Sequence, residues 1–282
     1  MKKIILLVSL ILILGQGQSP AGTASGAGKL RYISLAPSTT EILFALGLNQ
    51  EIVGISSYCN YPPETQSKAR VGDFSHPSIE KIFSLKPDYI FCTGLEQAPV
   101  IEQLKQLKFN IYVADPSSME ELFDTINDIG MITSKNKEAQ ELIRKMRRDI
   151  EEVGAKVSLI PPEQRPKVFV EIWHEPLMSA GKGSLIDEII ALAGGTNIAH
   201  DTRRAYSIFS SEKVISLNPD CIIMAYMDKE PALKLVENRF GWRNIKAVKN
   251  KRVFNDIDPD TLLRPGPRIT SGLKEINKRL YP

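Results

Sequence analysis

The sequence has few of the residues from which metal centres and catalytic nucleophiles are built. It holds three cysteines and three histidines in 282 residues. The cysteines form no CxxC pair and have no metal-ligand spacing. An HExxH helix, a phosphate-cradling glycine loop and a nucleophile elbow are also missing. These absences argue against a zinc protease, a nucleotide-hydrolysing enzyme and a serine hydrolase, and they predict no metal site and no catalytic residue.

Clusters of lysine and arginine interleaved with aromatic residues are missing as well, which argues against a nucleic-acid partner. The formal charge is +3, and Lys2 and Lys3 supply two of the positive charges. Loss of a leader that contains them lowers the charge to +1, because residues 1–28 hold no Asp or Glu. The apolar and charged contents, 43% and 24%, are those of an ordinary globular protein.

No apolar run near the start of the chain is long enough to span a bilayer comfortably. Residues 4–14 are apolar, follow Lys2 and Lys3, and precede a stretch of Gly, Ser, Gln and Ala. This pattern predicts a cleaved secretory signal and a flexible leader over residues 1–28. No cysteine follows the apolar run, so no lipoprotein anchor is predicted. An uncleaved membrane anchor is the alternative interpretation.

One eleven-residue segment occurs twice. Residues 80–90 (EKIFSLKPDYI) and 212–222 (EKVISLNPDCI) are identical at seven of eleven positions. Each copy follows a serine that can cap a helix, and in each copy a proline stops the helix before a short apolar run. The unit is therefore a helix, a tight turn and a strand. Its recurrence 132 residues later predicts two similar α/β lobes with a cleft between them.

A second pair of elements repeats in the same order. The predicted strand 30–35 runs into a helix, for which Ser38 and Glu41 suggest a capping box. In the second half, the predicted strand 167–172 is followed by a helix that opens at Ser184. Two repeated pairs make duplication a better explanation than chance similarity.

A long helix is predicted between the lobes. Over residues 135–158, apolar residues recur at three- and four-residue steps and form one stripe, and the double proline at 161–162 ends the helix. Its length of roughly 35 Å is enough to cross from one lobe to the other as a stiff connection, so we expect modest closure. The predicted fold is α/β, with mainly parallel sheets in lobes at 29–134 and 161–282 and a connecting helix at 135–160.

Residues that follow the predicted strands are the candidates for a binding site, because open α/β sheets bind ligands beyond the carboxyl ends of their strands. These residues are largely aromatic with few charges, which suits a large, flat or amphipathic ligand held by stacking. The alternative is that the aromatic side chains cover the lobe cores. The candidates are Pro37, Tyr58, Phe74, Thr93, Gly94, Trp173, His174, Met178, Tyr206, Asp260 and Arg264.

The charged candidates allow two interpretations each. Asp260 lies in a turn-rich segment, where turn formation explains an aspartate as well as ligand binding does. Arg264 suits a surface ion pair, and equally a ligand amide or phosphate. The helix dipole favours Glu80 and Glu212 as first-turn residues. Their equivalence in two lobes also fits a partner with two-fold pseudosymmetry, which pairs with one acidic group on each lobe.

These segments resemble a known family. The segments SLAPSTTE at 34–41, SSYCNYPP at 56–63 and RPGPR at 264–268, with the two SLxPD motifs, are similar to periplasmic substrate-binding proteins with a helical backbone. Those proteins serve ABC importers of cobalamin, iron-siderophores and haem. The similarity covers the chain from Leu30 onwards, and residues 58–63 look most like the cobalamin-binding branch. The resemblance implies a periplasmic, monomeric, non-enzymatic carrier whose ligand is a corrinoid, with no cofactor of its own.

In that branch, the corrinoid lies between the lobes against aromatic residues. Matching segments imply that Tyr58, Phe74 and Tyr206 stack against or flank the ligand, with Asp260 and Arg264 as polar contacts. Thr93 and Met178 stand where the best-known member of the branch has tryptophan and phenylalanine. Phe74 and Tyr206 both stand where that member has tryptophan. Pro37 completes the set of residues expected to bind the ligand.

The resemblance also implies a partner. Glu80 and Glu212 match the glutamates that dock onto arginines of the permease dimer in the inner membrane. An iron-siderophore or haem is the alternative ligand, and His174, His76 or Tyr58 is a candidate iron ligand for haem. An alternative of another class is an enzyme that processes metal chelates with the same two-lobed architecture.

Overall fold

The computed structural model describes residues 29–94, 97–226 and 232–282. The predicted signal and leader, residues 1–28, lie outside the described residues. In the described part, the first lobe has a four-stranded sheet made of Tyr32–Ser34 (β1), Ile52–Ile55 (β2), Tyr89–Cys92 (β3) and Ile111–Val113 (β4). The strand order is β2–β1–β3–β4, and every neighbouring pair is parallel.

Helices alternate with these strands, as parallel neighbours require a crossover connection. They are Pro37–Ala45 (α1), Ile79–Ser84 (α2), Ala98–Gln106 (α3) and Met119–Ile132 (α4). The carboxyl ends of the parallel strands therefore meet at one edge of the sheet.

The connecting helix Asn136–Val157 (α5) is 22 residues long and confirms the helix predicted from the apolar stripe. Its buried face includes Ala139, Ile143 and Met146. These residues belong to one hydrophobic cluster that contains Ile42 of the first lobe and Ile189 of the second. The lobes therefore share a continuous core along α5.

The second lobe, in the part that the structure describes, is built on a mixed sheet. Its strands are Lys167–His174 (β5), Leu177–Ala180 (β6), Thr196–Asn197 (β7), Tyr206–Ile208 (β8), Cys221–Met224 (β9) and Val253–Phe254 (β10). The order is β10–β9–β5–β6–β8, and β7 also pairs with β5. Its helices are Leu185–Leu192 (α6), Ser211–Leu217 (α7), Ala232–Glu237 (α8), Lys246–Lys249 (α9), Asp260–Leu263 (α10) and Ile269–Leu280 (α11).

The β5–β6 hairpin and β8 were not predicted. Strands β9 and β10 and the short β7 run parallel within the sheet, whereas β6 pairs antiparallel with both β5 and β8. Only Glu175 and Pro176 separate β5 from β6, and so short a connection can join only antiparallel strands. The two-lobed α/β fold is confirmed, although the second lobe adds this antiparallel edge to the duplicated unit.

The repeated segment has the same geometry in both lobes. Asp88 accepts a hydrogen bond from the backbone N–H of Arg31 at 2.7 Å, and Asp220 accepts one from Lys167 at 2.9 Å. Each aspartate thus joins the start of its own strand to the first strand of its lobe. The residue before each proline adopts the left-handed conformation, with φ of 46° and 49°. These shared details explain why the SLxPD motif occurs twice.

The predicted capping box at Ser38 and Glu41 is wrong. Ala36, which has no polar side chain, occupies the N-cap of α1, and Pro37 takes the first helical position, where no N–H donor is needed. Glu41 is 3% exposed and forms a two-pronged ion pair with Arg268, at 2.7 and 2.9 Å. The residues have the SxxE spacing of a capping box, but the Glu41 carboxylate binds Arg268, which is distant in sequence, instead of the helix start.

All three cysteines, Cys59, Cys92 and Cys221, are buried and free. Burial raises the pKa of the Cys92 and Cys221 thiols to about 12, and it raises the pKa of Cys59 as well. Because the thiolate is the reactive form, we expect little reaction with Ellman's reagent at pH 8 in the native state. In denaturant, three thiols per chain should react. A thiol that reacts quickly in the native protein would contradict this arrangement.

A cleft between the two lobes

A cavity of about 960 Å³ lies between the lobes. Its first-lobe wall comes from residues that follow the strands of the parallel sheet, since the loops after β1, β2, β3 and β4 all contribute. Its second-lobe wall comes from the start of α6, the start of β8 and the segment after α10. The lining residues are Ala36, Pro37, Ser38, Tyr58, Asp73, Phe74, Ser75, His76, Thr93, Asp115, Pro116, Ser117, Gly183, Ser184, Ala205, Tyr206, Leu263, Arg264 and Pro265.

Six of the eight residues expected to bind the ligand lie around this cavity. They are Pro37, Tyr58, Phe74, Thr93, Tyr206 and Arg264. Tyr58 and Tyr206 line the cavity from opposite lobes and are 60% and 49% exposed, so aromatic surface is available inside the cleft. Exposed aromatic rings in a concave site favour a ligand with flat or apolar faces.

Met178 and Asp260 are not among the described residues that line the cavity. Met178 lies on β6, where it pairs in register with Trp173 of β5 and Ile208 of β8. The carboxylate of Asp260 lies 3.0 Å from the guanidinium of Arg264. Asp260 therefore contacts a cavity residue and does not line the cavity itself.

Gly94, Trp173 and His174 likewise do not appear among the described lining residues. Trp173 and His174 pack against Tyr226, with ring centroids 6.4 and 5.6 Å from that of the tyrosine. Gly94 lies directly behind the wall, because an added Cβ there would be 2.2 Å from the carboxylate of Asp115. A side chain at position 94 would therefore require the Asp115 side chain to move.

Sequence reasoning missed two charged residues of the wall, Asp73 and Asp115. Asp115 lies two residues after β4, and its carboxylate is 3.4 Å from the hydroxyl of Thr93. Burial, together with the charge of Asp115, raises the pKa of Tyr206 in the other lobe. Ligands of open α/β sheets bind beyond the carboxyl ends of the strands, and this rule, which selected Thr93 after β3, also selects Asp115 after β4. Asp115 could therefore have been predicted from the sequence.

Arg264 enters the cleft from the second lobe, and its side chain is 17% exposed. Its guanidinium donates to Asn60 Oδ1 at 2.6 Å and pairs with Asp260 at 3.0 Å. The carboxylate of Glu41 lies 3.6 Å away. The only arginine described in the cavity wall is therefore surrounded by acceptors from both lobes.

Glu80 and Glu212 lie away from the cleft, in the first turns of α2 and α7, where both side chains are exposed. Ser78 and Ser210 cap these helices by accepting from the backbone, and their hydroxyls donate to the glutamates at 3.0 and 2.6 Å. The bond from Ser210 lowers the pKa of Glu212. Each lobe therefore presents one oriented carboxylate in an equivalent position.

The described residues contain no group of three or more His, Cys, Asp or Glu side chains arranged to hold a metal ion. None of the described helices combines the length and the apolar character that a membrane span needs.

Comparison with known sequences decides the family. The sequence profile of the periplasmic binding protein family matches residues 33–260. The chain belongs to this family. A Bacillus subtilis (strain 168) relative named "Uncharacterized ABC transporter substrate-binding lipoprotein YvrC" is 33% identical over 257 residues, which cover 89% of this chain and 80% of the relative. A Vibrio cholerae protein named "Vitamin B12-binding protein" is 29% identical over 251 residues, covering 87% of each chain.

Solved structures of this family have the same fold. A Staphylococcus epidermidis protein, described as a possible iron-binding, periplasmic solute-binding protein, has a TM-score of 0.78 at 30% identity, covering 90% of this chain and all of that one. A periplasmic haem-binding protein of Vibrio cholerae has a TM-score of 0.80 at 25% identity, covering 90% and 100%. The fold is therefore that of two-lobed binding proteins whose members carry different ligands.

Proposed function

We propose that this protein is a substrate-binding protein that captures a corrinoid between its lobes and delivers it to an ABC importer. The observation that carries the proposal is the interlobe cleft of about 960 Å³, which Tyr58, Phe74 and Tyr206 line with aromatic surface. A cavity of this volume suits a large ligand, and rings on opposite walls suit a flat one. The B12-binding relative in Vibrio cholerae supports the same ligand class.

The charges of the cleft favour a corrinoid over haem. Asp73 and Asp115 place two carboxylates in the wall, whereas Arg264 is the only arginine among the described lining residues. The amide side chains of a corrinoid donate hydrogen bonds that carboxylates accept. The propionates of haem are anions, which these carboxylates repel. A cleft whose wall has more carboxylates than arginines therefore suits an amide-rich ligand.

Haem or an iron-siderophore remains the second candidate, and one observation favours it. His76 and Tyr58 both line the cleft, and each side chain is a known kind of axial ligand for haem iron. The iron-binding and haem-binding neighbours share the fold. His174, the third candidate iron ligand, packs against Trp173 and Tyr226 instead.

The partner in this proposal is a permease dimer, onto which Glu80 and Glu212 dock from a monomeric carrier. The compartment is the periplasm, reached through a cleaved signal. The Bacillus subtilis relative is named as a lipoprotein, so its attachment differs from the soluble form proposed for this chain. The protein is proposed to have no cofactor and no catalytic activity. An enzyme that processes metal chelates would instead release an altered ligand, which mass spectrometry of the recovered ligand detects.

Calorimetric titration with cyanocobalamin, haemin and ferrichrome tests the ligand class. We expect one-to-one binding of cyanocobalamin with a Kd below about 1 μM, roughly −8 kcal/mol, and much weaker binding of haemin. Tyr206→Ala is expected to weaken corrinoid binding at least tenfold, because it removes an aromatic face from the cleft. Binding of haemin or ferrichrome without cyanocobalamin would overturn the corrinoid assignment and keep the carrier.

A further inference from the structure

Glu41 is a buried carboxylate between two arginines of the opposite lobe. Its side chain is 2% exposed. Arg268 donates to both of its oxygens, at 2.9 and 2.7 Å, and Arg264 lies 3.6 Å away. Glu41 itself does not appear among the described residues of the interlobe cavity, whereas Arg264 does. The carboxylate is therefore close to a binding residue without lining the site.

The pairing of Glu41 with Arg268 is tightly defined. The third guanidinium nitrogen of Arg268 donates to Asp258 at 3.0 Å, and the guanidinium lies 4.0 Å from the ring centroid of Tyr61. Hydrogen bonding with Glu41 raises the pKa of Arg268, so the guanidinium stays charged. With all three nitrogens engaged, Arg268 holds the Glu41 carboxylate in one place.

Arg264 is engaged by both lobes. Asp260, on its own segment, pairs with one terminal nitrogen at 3.0 Å. Asn60 of the first lobe accepts from the other terminal nitrogen at 2.6 Å, on the same side as Glu41 at 3.6 Å. Without Asn60 and Glu41, Asp260 would be the only one of these acceptors left to orient the guanidinium. A guanidinium has five N–H donors, so the bonds described here leave donors for a ligand.

We propose that Glu41 is a positioning residue: with Asn60, it orients the guanidinium of Arg264 into the cleft for hydrogen bonding to acceptor groups of the ligand. This inference rests on the proposed function, since it assumes that the cleft binds a ligand. It gives helix α1 of the first lobe, through Glu41, a part in ligand recognition. The binding residue of one lobe is thus held in place by a carboxylate of the other.

A double-mutant cycle tests the inference. Glu41→Gln keeps the shape and one acceptor oxygen, and removes the charge that faces Arg264. We expect Glu41→Gln and Arg264→Ala each to weaken cyanocobalamin binding about tenfold. Arg264→Ala removes the hydrogen bonds from the guanidinium to the ligand, and Glu41→Gln removes the charge that orients this guanidinium. In the Arg264→Ala background, Glu41→Gln should change the Kd by less than about twofold, because no guanidinium remains to be positioned.

Asn60→Ala provides a second variant, because Asn60 is exposed and its loss is not expected to affect folding. It should show the same dependence on Arg264. Glu64→Gln is the matched control, since Glu64 is an exposed glutamate of the neighbouring loop, and its Kd should equal that of the wild type. Thermal unfolding of every variant checks that each binding measurement reports on folded protein.

Each outcome bears on the proposal. Equal weakening by Glu41→Gln in both backgrounds would show a structural role only and overturn the inference. Wild-type affinity in Arg264→Ala would remove Arg264 from the site and overturn it as well. If the wild type binds haemin or ferrichrome instead of cyanocobalamin, the ligand assignment fails, and the same cycle with that probe decides the role of Glu41 separately.

Discussion

Reversing the charge at both proposed docking positions, with Glu80→Arg and Glu212→Arg, is expected to abolish ligand-stimulated ATP hydrolysis by the importer. The ligand Kd should stay within about twofold of the wild type, because neither residue lines the cleft. The two carboxylates stand at equivalent helix starts in two lobes built on the same unit. A permease dimer offers two equivalent binding surfaces, and like charges placed opposite one another weaken docking by about a hundredfold or more.

Proteoliposomes that contain the importer provide the measurement. The matched control is Glu141→Arg with Glu151→Arg, which makes the same change in net charge at two exposed glutamates of α5. The control should stimulate the importer like the wild type. Each single reversal should retain part of the stimulation, since one docking carboxylate remains. Full stimulation by the double variant of Glu80 and Glu212 would remove these residues from the interface.

The repeated segment that holds Glu80 and Glu212 shows how much of the fold the sequence predicts. The repeated segment predicted two lobes, and it did so because Asp88 and Asp220 make the same hydrogen bond in each lobe. Features that depend only on neighbouring residues, such as a serine that caps a helix or a proline that ends one, can be predicted from a short segment of sequence. The long helix was predictable for the same reason, since its apolar stripe repeats along its own axis.

The cleft was predictable in part. The topological rule places residues after parallel strands at one edge, and it correctly brought Pro37, Tyr58 and Thr93 together. Met178 and Tyr206 belong to the antiparallel strands β6 and β8, to which the rule does not apply. Tyr206 reaches the cavity because β8 starts at that edge, whereas Met178 does not. Which end of an antiparallel strand faces the cleft depends on pairing that the sequence alone did not reveal.

Glu41 shows what sequence reasoning cannot reach. The residues SxxE at 38–41 satisfy a local rule, and the observed partner, Arg268, lies 227 positions further along the chain. A buried carboxylate needs a charged partner more than a helix start needs a side-chain cap. The long-range ion pair therefore decides the role of the residue. Local patterns predict elements well, and they fail where a buried charge must find its partner.

The same ion pair leads to the second large effect, on stability. Arg268→Met is expected to lower the free energy of unfolding by about 3–5 kcal/mol, because it leaves the Glu41 carboxylate buried without its main partner. Urea denaturation followed by circular dichroism measures the change. The double variant Glu41→Met with Arg268→Met should recover most of the loss, since apolar side chains of similar length often replace a buried ion pair at little cost.

Lys105→Met is the matched control for this experiment. Lys105 and Glu102 form an ion pair at 2.8 Å, with side chains that are 56% and 66% exposed. Removing a partner from an exposed pair should cost less than about 1 kcal/mol, because water and salt screen the charge that remains. If Arg268→Met cost no more than Lys105→Met, Glu41 would have another stabilising partner or access to water. The connection between the lobes would then depend on the shared core along α5, and not on this ion pair.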